Sequence, residues 1–473
     1  MWRLDDAVDN EVQMKNQRGS PLEDSEAIFR EAVASVDPSR IIENAVAVKT
    51  GAAGEELVVH TAFEEARCPL APGGRIFVLG MGKASARMAA GLEAVLGDRI
   101  AGGLVVVKQG FGAPLHRVRI FEAGHPVPDE RSVRAADMLL HPGALFETAI
   151  AANDIFIVLV SGGGSAILCA PSAGLSLEDK ISATRLLLAS GATINEMNCV
   201  RKHISAIKGG QLAAALAPAT VLTLVISDVV GDDIDVIASG PTVPDPTRFA
   251  DALAVIHHYD MEEKMPSAIL DHLHRGAEGQ VPETPKPDNP VFLHARTILV
   301  GTNRIALEAA GREARLRGYN SMVLSSRVTG EAREAALFYF GIAKDMAISG
   351  FPVKRPACLV AGGETTVTLR GTGRGGRNQE MALAFLVALG ESPKGAGDIV
   401  FLSAGTDGND GPTDAAGAVV SLELYDKARR SGLDPGTALA ENDAYTFFSS
   451  AGGLLKTGFT GTNVCDIQVI LVP

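Results

Sequence analysis

Four glycine-rich loops of this sequence carry the residues best suited to bind a charged ligand. Each loop directly follows an apolar run that predicts a strand, and the loops are Gly80–Lys83, Ser161–Ser165, Gly362–Glu364 and Ser403–Gly408. In open α/β sheets, ligands bind beyond the carboxyl ends of the strands. Because the loops are divided between the two halves of the chain, they predict one cleft between two domains.

The first loop reads VLGMGKAS and predicts the end of a strand followed by the start of a helix. It is not a Walker A loop, because its glycines are too close together. It is also an incomplete dinucleotide fingerprint, since Ser85 stands in place of the third glycine and the next strand ends at Lys108 rather than at an acid. The helix start would still offer free backbone N–H groups beside Lys83, which favours an anion. A structural turn with an exposed lysine is an equally weighted alternative.

The second loop, VSGGGSA, places three consecutive glycines between Ser161 and Ser165. Gly162, Gly163 and Gly164 allow several backbone N–H groups to point into one concavity, which suits phosphate or carboxylate oxygens. Either serine is a conceivable nucleophile, but the G-x-S-x-G pattern of a nucleophile elbow is absent. Because a triple glycine costs backbone entropy, we favour ligand binding over a plain tight turn.

A basic segment, NEMNCVRKHISAIKGGQ, follows in the first half of the chain. Read as part of a helix from about Asn195 to Leu216, it places Arg201, Ser205 and Lys208 on one face. In an acidic protein such a face could meet an anionic ligand, although a solvated surface is the more common outcome. His125, in the separate motif AGHPVPDE, is expected to be a hydrogen-bonded structural histidine.

Two carboxylates that follow predicted strands are candidate cation ligands. Asp228 follows the apolar run Val221–Ile226, and Asp407 lies in the loop SAGTDGNDGPTD of the second half. Either could hold Mg²⁺, which binds through one or two carboxylates plus water, whereas the spacing of an EF-hand is absent. Arg377 starts a predicted helix after the stretch GTGRGG, where its planar guanidinium suits phosphoryl or carboxylate oxygens.

The composition excludes several classes of protein. The chain has 473 residues, 46% of them hydrophobic, and a formal charge of −13. Such an acidic chain is a poor nucleic-acid binder, and no apolar run is long enough to span a membrane. The five cysteines form no C-x-x-C pair, and the polar, acidic N-terminus does not resemble a signal peptide. We therefore expect a cytoplasmic protein that binds neither nucleic acid nor membrane.

The alternation of apolar strands and helices predicts an α/β fold of two three-layer α/β/α domains. Strands such as Ile155–Val160 are apolar throughout, which is typical of a largely parallel, Rossmann-like sheet with helices on both faces. The proline-rich segment Gly276–Pro290 is the best linker candidate. Beyond it, strands at Thr297–Val300, Thr366–Leu369 and elsewhere are short and closely spaced, which predicts a smaller mixed sheet. The predicted divisions are a tail at 1–27, a first domain at 28–285 and a second domain at 286–473.

A series of motifs runs along the chain: GMGKAS, AGHPVPDE, VSGGGSA, INEMNCVRKHISAIKGGQLA, SDVVGDD, IASGPT, AGGETTV, GRGGRNQE and SAGTDGNDGPTDAAGA. From about Phe29 to Val472, in this order, they resemble the class II glycerate 2-kinases, the MOFRL-type family. The resemblance implies two α/β domains with the active site in the cleft between them. It also implies an enzyme that phosphorylates the 2-hydroxyl of D-glycerate with ATP and a divalent cation. Some members carry the older label hydroxypyruvate reductase.

The resemblance further implies roles for particular residues. The lysine of GMGKAS is Lys83 and the second arginine of GRGGRNQE is Arg377, and both match residues that the family assigns to the catalytic cleft. One departure lies near the end, where Phe459 replaces a proline and Cys465 an asparagine of the family's pattern. The candidates for substrate or phosphate binding are Gly82, Ser161, Gly162, Gly163, Gly164, Ser165, Arg201, Lys208, Asn303 and Glu364.

Phosphoryl transfer needs positioning and charge neutralisation more than covalent catalysis. We therefore expect Lys83 and Arg377 to neutralise the glycerate carboxylate and the transferring phosphoryl group. The Ser161–Ser165 backbone would cradle phosphates, while Asp228 and Asp407 would hold Mg²⁺ with ATP. Two alternatives stay open, namely a reductase that uses NADH or NADPH on hydroxypyruvate and a non-catalytic sensor of small acids. The sequence does not decide the oligomeric state, and a homodimer is compatible with it.

Overall fold

The computed structural model describes residues 19–51, 54–395 and 398–473, which form two compact units. The first unit consists of Pro38–Val300, and the second joins the described residues up to Asp37 with Gly301–Pro473. These units differ from the predicted divisions in two places, because residues 28–37 belong to the second unit and residues 286–300 to the first. Residues 1–18 of the predicted tail lie outside the described residues. Among the helices described, none is long and apolar enough to cross a membrane.

The strands within the described residues are β1 (Val46–Gly51), β2 (Gly54–His60), β3 (Glu65–Pro69), β4 (Ile76–Met81), β5 (Ile100–Lys108), β6 (Val118–Ala123), β7 (Ile155–Val160), β8 (Thr220–Ile226), β9 (Ala295–Gly301), β10 (Asn320–Val328), β11 (Ala357–Gly363), β12 (Val400–Gly405), β13 (Gly417–Ser421), β14 (Leu454–Leu455) and β15 (Asp466–Val472).

The α-helices within the described residues are α1 (Pro21–Ser35), α2 (Pro38–Ala45), α3 (Ser85–Leu96), α4 (Glu130–Leu140), α5 (Pro142–Leu145), α6 (Gly164–Ile167), α7 (Leu177–Ala189), α8 (Ile194–His203), α9 (Gln211–Leu216), α10 (Phe249–His258), α11 (Ser267–Ala277), α12 (Asn303–Leu316), α13 (Ala332–Ser349), α14 (Arg377–Glu391), α15 (Leu422–Arg430), α16 (Pro435–Ala440) and α17 (Ala444–Ala451).

The main sheet of the first unit has the strand order β6-β5-β4-β7-β8-β9. The pairs from β6 through to β8 are parallel, and β4 and β7 are buried along their whole length. Counted from β4 in chain order, the arrangement is 3-2-1-4-5-6, which is the order of a doubly wound, Rossmann-like sheet. The prediction of a largely parallel, Rossmann-like first sheet is therefore confirmed.

The order of this sheet reverses between β4 and β7, and ligands of doubly wound sheets bind in the crevice outside such a switch point. Met81 at the end of β4 pairs with Val160 of β7, and Val160 pairs with Val225 of β8. The loops that follow β4, β7 and β8 therefore leave the sheet side by side. These loops carry residues predicted to bind phosphate and magnesium.

Helices cover both faces of this sheet. Phe77 and Leu79 of β4 pack with α4 and α9 in one apolar cluster. On the opposite face, Gly80 lies against α3, because a Cβ at Gly80 would stand 3.2 Å from the Cβ of Ser85. The absent side chain of Gly80 thus lets α3 approach the sheet closely, which sets the position of the turn that precedes this helix.

The proline-rich segment Gly276–Pro290 does not separate the two sheets. Strand β9 follows it and completes the first sheet beside β8, where the Val221 N–H donates to the His294 carbonyl at 2.8 Å. The assignment of the predicted strand Thr297–Val300 to the second sheet is therefore wrong. The local pattern correctly indicated a strand, but the pairing partner lies about seventy residues earlier in the chain.

A small antiparallel sheet, β1-β2-β3, precedes β4 and is absent from the sequence-based expectations. Its outer side carries charged residues, among them Glu56 and Arg67, which pair at 3.2 Å. Leu57 and Val59 face inwards and are buried. Half-polar strands of this kind escape a search for wholly apolar runs.

The sheet of the second unit has the order β10-β11-β15-β12-β13-β14. Only the β10–β11 pair is parallel among the pairs described, so the predicted mixed sheet is confirmed. The predicted strand Thr366–Leu369 is wrong, because this stretch makes only an isolated bridge between Thr366 and Glu331. Helices α13 and α14 pack on one face of the sheet.

Helix α1 belongs to the second unit because of a buried charge cluster. Asp24, which is fully buried, accepts hydrogen bonds from Arg317 Nη1 at 2.8 Å and from the Tyr319 hydroxyl at 2.9 Å. The helix begins at a capping box formed by Ser20 and Glu23, so its start is well defined. The expectation that residues up to 27 form a tail is therefore wrong for the described part, residues 19–27.

Candidate active site

The turn after β4 is held by the loop after β7. Gly82 has a φ of +116°, and a Cβ here would lie 2.3 Å from the Ser161 carbonyl, so glycine is required. The Lys83 N–H donates to the Gly162 carbonyl at 2.9 Å, and the Ala84 N–H donates to Ser161 Oγ at 3.0 Å. The prediction of free backbone N–H groups beside Lys83 is therefore wrong at these two positions, because the neighbouring loop accepts them.

The ammonium group of Lys83 is the donor that this turn leaves available. Within the described residues, its side chain makes no hydrogen bond and no ion pair within 4.0 Å. The side chain is half-buried, and its charge acts on the nearby His125 and Asp228. A cation placed in this way can meet an incoming anion without first breaking an internal ion pair.

The glycine-rich loop after β7 lies at the meeting point of three side chains. A Cβ on Gly163, whose φ is +81°, would stand 3.0 Å from His125 Nε2 and 3.5 Å from Lys83 Cε. A Cβ on Gly162 would stand 2.0 Å from Asp228 Oδ2. The N–H groups of these two glycines donate to no residue that the structure describes. The loop therefore presents free backbone donors between an ammonium, an imidazole and a carboxylate.

His125 is neutral at physiological pH. Burial lowers the pKa of its imidazole to about 4, and the charges of Lys83 and Lys108 act in the same direction. Its Nδ1 is buried and has no hydrogen-bond partner among the described residues. The expectation that His125 is a hydrogen-bonded structural histidine is therefore wrong.

Asp228 is the carboxylate closest to the loop. Burial raises the pKa of Asp228, while its own backbone N–H and the charge of Lys83 act against the rise. In the described part of the chain, no group of three or more His, Cys, Asp or Glu could hold a metal ion by itself.

The basic segment is not one helix. The helix predicted from about Asn195 to Leu216 is wrong, because α8 ends at His203 and α9 begins only after Gly209 and Gly210. Both glycines have positive φ, +58° and +82°, which a continuing α-helix excludes. Ser205, expected beside the two cations, donates instead to a backbone carbonyl at 3.2 Å.

Arg201 and Lys208 nevertheless reach the same atom. Arg201 Nη2 donates to Ser165 Oγ at 2.5 Å, and Lys208 Nζ donates to it at 2.7 Å. Lys208 also donates to the Ser165 carbonyl at 2.9 Å. Ser165 is presented by the short helix α6, whose first residue, Gly164, packs against Met81.

Lys208 is buried and Arg201 is partly buried, and neither has a carboxylate partner among the described residues. Lys208 is 3% exposed, and no carboxylate of the described residues lies within 4.0 Å of it or of Arg201. Burial lowers the pKa of Lys208 well below its usual range, and the charge of Arg201 lowers it further. Buried charges are normally paired, because leaving them unpaired is costly. The arrangement therefore favours the binding of an anion.

In the second unit, Arg377 is fixed by two carboxylates. Its Nε and Nη2 donate to the carboxylate of Asp466 at 2.5 and 2.9 Å, and its Nη1 lies 2.8 Å from Glu364 Oε1. Burial lowers the pKa of Arg377, but its hydrogen bonds to Asp466 and the neighbouring negative charges more than offset this, so the pKa is raised. Asp466 is 1% exposed, whereas Glu364 is exposed.

The N-terminus of α14, where Arg377 lies, already holds a carboxylate of the protein. Asp410 accepts the N–H groups of Gln379 at 2.8 Å and of Asn378 at 3.1 Å. Gly376 allows this approach, since a Cβ there would lie 2.3 Å from Asp410 Cγ. Burial raises the pKa of Asp410 to about 6, against the effect of these two N–H groups. The N–H groups of Asn378 and Gln379 at the helix start predicted to meet an anion are therefore already occupied by Asp410.

Asn303, Glu364 and Asp407 gather around Asp466. Asn303 Nδ2 donates to the Asp466 carbonyl at 2.9 Å, and its Oδ1 is buried with no partner among the described residues. Asp407 Oδ1 and Asp466 Oδ1 both lie within 3.5 Å of the point where a Cβ of Gly405 would stand. The candidates of the second unit thus share one neighbourhood.

The departure from the family's pattern at Cys465 falls on a strained residue. Cys465 has a φ of +67°, in the left-handed region that asparagine adopts more readily than cysteine. Its carbonyl accepts the Thr406 hydroxyl at 2.7 Å, which holds the turn in place. Phe459, the other departure, is exposed on the surface.

The structure separates the predicted site residues into two groups. Gly82, Lys83, Arg201, Lys208, Asp228 and the Ser161–Ser165 loop lie together at the switch point of the first unit. Asn303, Glu364, Arg377 and Asp407 lie together in the second unit. The single cleft that was expected to combine them stays a prediction. Sequence reasoning missed Asp466, although it directly follows Cys465 at the end of the stretch TGFTGTNVCD.

The chain is a two-unit α/β protein, in which a doubly wound sheet carries a glycine-rich loop at its switch point. Family models match both units, since residues 24–274 match the model described as a domain of unknown function, DUF4147, and residues 357–466 match the MOFRL family.

Relatives named as glycerate 2-kinases match most of the chain. A glycerate 2-kinase of Pyrococcus horikoshii is 42% identical over 443 residues, which cover 93% of this chain and 95% of that protein. A D-glycerate 2-kinase of Thermotoga maritima is 41% identical over 401 residues, which cover 84% of this chain and 91% of that protein. The solved structure of a glycerate kinase from Thermotoga maritima has a TM-score of 0.82 at 36% identity, covering 96% of this chain and 99% of the other. The chain belongs to the class II glycerate kinase family, as the motifs predicted.

Proposed function

We propose that this chain is a glycerate 2-kinase that transfers the terminal phosphoryl group of ATP to the 2-hydroxyl of D-glycerate, with Mg²⁺, giving 2-phosphoglycerate. The names of its relatives support the reaction, and a kinase needs a nucleotide substrate. One observation carries the proposal: Lys83, Arg201 and Lys208 lie around the glycine loop at the switch point, and none of them pairs with a carboxylate among the described residues.

The first unit would hold the phosphate chain of the nucleotide. The free N–H groups of Gly162 and Gly163 would donate to phosphate oxygens, and the ammonium of Lys83 would follow the charge that develops on the transferring group. Asp228, which touches Gly162, would hold Mg²⁺ at the same phosphates. The ion would supply charge neutralisation there.

Arg377 would act as a donor of fixed orientation. Asp466 holds two of its nitrogens through a bidentate pair, so the direction of the third is set by a buried anchor. Its partner on that side, Glu364, is exposed and can give way to a substrate anion. The glycerate carboxylate has the planar, two-oxygen shape that a guanidinium binds best.

The hydrogen bonds of the turn after β4 argue against the dinucleotide site that a reductase needs. In a dinucleotide site of this fold, the pyrophosphate binds the backbone N–H groups at the helix start that follows the first strand. Here the N–H groups of Lys83 and Ala84 already donate to the loop after β7. Ser85 replaces the third glycine as well. A relative from Agrobacterium vitis, 42% identical, bears the name hydroxypyruvate reductase only provisionally.

Product identification tests the proposal directly. The purified chain is incubated with ATP, Mg²⁺ and D-glycerate, and the products are separated by mass spectrometry and phosphorus NMR. We expect ADP and 2-phosphoglycerate in equal amounts, with no reaction after chelation of the metal. L-Glycerate and ATP alone serve as controls for substrate selection and for idle hydrolysis.

A parallel assay follows NADH and NADPH in the presence of hydroxypyruvate. We expect no oxidation above that of a no-enzyme control. Oxidation of either cofactor, without ADP formation that depends on D-glycerate, would overturn the kinase proposal in favour of the reductase.

A further inference from the structure

A third buried lysine, Lys180, belongs to none of the predicted sites and reaches the segment between Arg201 and Lys208, since Lys180 Nζ and Ser205 Oγ donate to the same carbonyl, that of Ala170. It lies on α7 and is 5% exposed, and its Nζ donates to the Ala170 carbonyl at 3.2 Å. No carboxylate of the described residues lies within 4.0 Å of it. Burial lowers the pKa of Lys180 to about 8, against an opposing effect of Cys169, and the charge of Arg201 lowers it further. Lys180, Arg201 and Lys208 thus all lack a carboxylate partner within 4.0 Å in the part of the chain that the structure describes.

The Ser165 hydroxyl accepts hydrogen bonds from Arg201 and Lys208, and its own proton is not available to a ligand. Ser239 Oγ donates to Asn198 Oδ1 at 2.9 Å, so it must accept in its contact with Ser165 Oγ at 3.1 Å. Ser165 therefore donates to Ser239 and accepts from Arg201 and Lys208. Ser165 Oγ is thus the shared acceptor for two charged donors. As a neutral oxygen, it stabilises them less than an anion would.

Asn198 adds a neutral donor with no acceptor. Its Oδ1 accepts from Ser239 Oγ and from Arg201 Nη1 at 3.3 Å, and these bonds fix which way the amide points. Its Nδ2 is then directed away from both donors and has no partner among the described residues, although the residue is 2% exposed. Two of the three ammonium protons of Lys180 are also without an acceptor there. Asn198 and Lys180 thus both keep unused donors, and both interact with Arg201, one through a hydrogen bond and the other through its charge.

We propose that Lys180, Arg201, Lys208 and the Nδ2 amide of Asn198 form a binding site for a phosphoryl group that carries two negative charges. The assignment rests on the proposed function, which it deepens by naming the occupant of this part of the site. Lys180 is the new member, and its role is to bind the anion rather than to support the fold.

Charge balance selects a phosphoryl group over the glycerate carboxylate. A carboxylate brings one negative charge and two oxygens, which would leave most of the three cations uncompensated. A phosphoryl group brings nearly two charges and three strong acceptor oxygens. It can accept from the lysines and the amide together, and the short bonds to Ser165 need not all be broken.

The test compares anion binding by the wild-type protein and by Lys180→Met. The methionine keeps the length and the apolar stem of the side chain but removes the charge. Dissociation constants are measured by calorimetry for inorganic phosphate, ADP, 2-phosphoglycerate and D-glycerate. We expect at least a tenfold weaker affinity for inorganic phosphate and for one of the two phosphorylated ligands, which identifies the source of the phosphoryl group. The affinity for D-glycerate should stay within threefold.

Melting temperature separates a ligand site from a structural lysine. If Lys180 serves a ligand, then Lys180→Met removes an uncompensated buried charge, and the ligand-free variant should melt at the wild-type temperature or above it. Lys264→Met, which makes the same change on the surface, is the matched control and should alter neither affinity nor melting. A lower melting temperature together with unchanged phosphate affinity would overturn the proposal.

The outcome for this site is independent of the outcome for catalysis. If the wild-type protein binds inorganic phosphate through Lys180 but forms no 2-phosphoglycerate, the anion site stands and the kinase proposal fails. If it forms 2-phosphoglycerate while Lys180→Met binds all the phosphorylated ligands normally, the kinase proposal stands and the anion site fails.

Discussion

Replacing Gly162 by alanine should damage catalysis through one contact that the structure defines. The added Cβ would stand 2.0 Å from Asp228 Oδ2, whereas ordinary contact begins at 3.4 Å. The backbone at Gly162 is not in the left-handed region, so alanine itself is tolerated there. The strain is relieved by moving the carboxylate, which must shift by roughly 1 Å or more away from the glycine loop.

The size of the effect follows from that displacement. A misplacement of about 1 Å in a group that positions the reaction costs roughly 100-fold in rate, which corresponds to about 2.7 kcal/mol of activation free energy. We expect kcat to fall by about this factor in Gly162→Ala. Because Asp228 is proposed to hold Mg²⁺, the concentration of Mg²⁺ that gives half-maximal rate should rise as well.

The assay measures D-glycerate-dependent ADP release over a range of Mg²⁺ concentrations, together with the melting temperature. Gly341→Ala is the matched control, since a Cβ at this exposed helical glycine meets nothing within 4 Å and should leave the rate unchanged. Wild-type kcat with an unaltered Mg²⁺ requirement in Gly162→Ala would refute the reasoning. It would mean that the position of Asp228 does not matter to the reaction.

Three further predictions concern single side chains. Lys83→Met should reduce kcat by at least 100-fold, about 3 kcal/mol, with little change in melting temperature, since its ammonium has no partner among the described residues. Near-normal turnover would remove Lys83 from the mechanism. Arg377→Lys should recover only a small part of the activity lost in Arg377→Ala, because lysine cannot form the bidentate pair with Asp466; equal rates for lysine and arginine would contradict this. Asp24→Ala should lower the free energy of unfolding by about 3 kcal/mol in denaturant titrations, because Arg317 loses its buried partner. The control is Glu26→Ala, which removes an exposed ion pair with Arg30 and should change the free energy of unfolding by less than about 0.5 kcal/mol.

The sheet of the first unit could be predicted because the apolar pattern that identifies each strand lies within the strand itself. Strands that are buried on both faces must be apolar throughout, and Ile155–Val160 carries that signal without reference to any other part of the chain. The position of the glycine loops at strand ends follows from the same pattern. What the loops bind depends on which strands are neighbours, and here the pairing of Met81 with Val160 brings two of them together.

Other features depend on contacts between distant residues and leave no local signal. Asp24 and Arg317 are 293 positions apart, so the attachment of helix α1 to the second unit could not be read from the N-terminal sequence. Asp410 caps the helix that starts at Arg377 from more than thirty residues away. The convergence of Arg201 and Lys208 was expected for the wrong reason. A glycine-induced break, not a shared helix face, brings them to one hydroxyl.

The two units differ in how their cations are balanced, and this difference indicates what each one binds. Arg201 and Lys208 face neutral oxygens, so an arriving anion displaces no carboxylate and relieves an existing cost of burial. Arg377 is already paired with a buried carboxylate, that of Asp466. An anion that approaches Arg377 must therefore compete with Glu364 for the Nη1 group. We therefore expect the more highly charged ligand to bind at the first unit, where the described residues supply no carboxylate to balance these cations. A singly charged carboxylate has the same charge and shape as the Glu364 side chain, so it can replace Glu364 at the Nη1 group of Arg377.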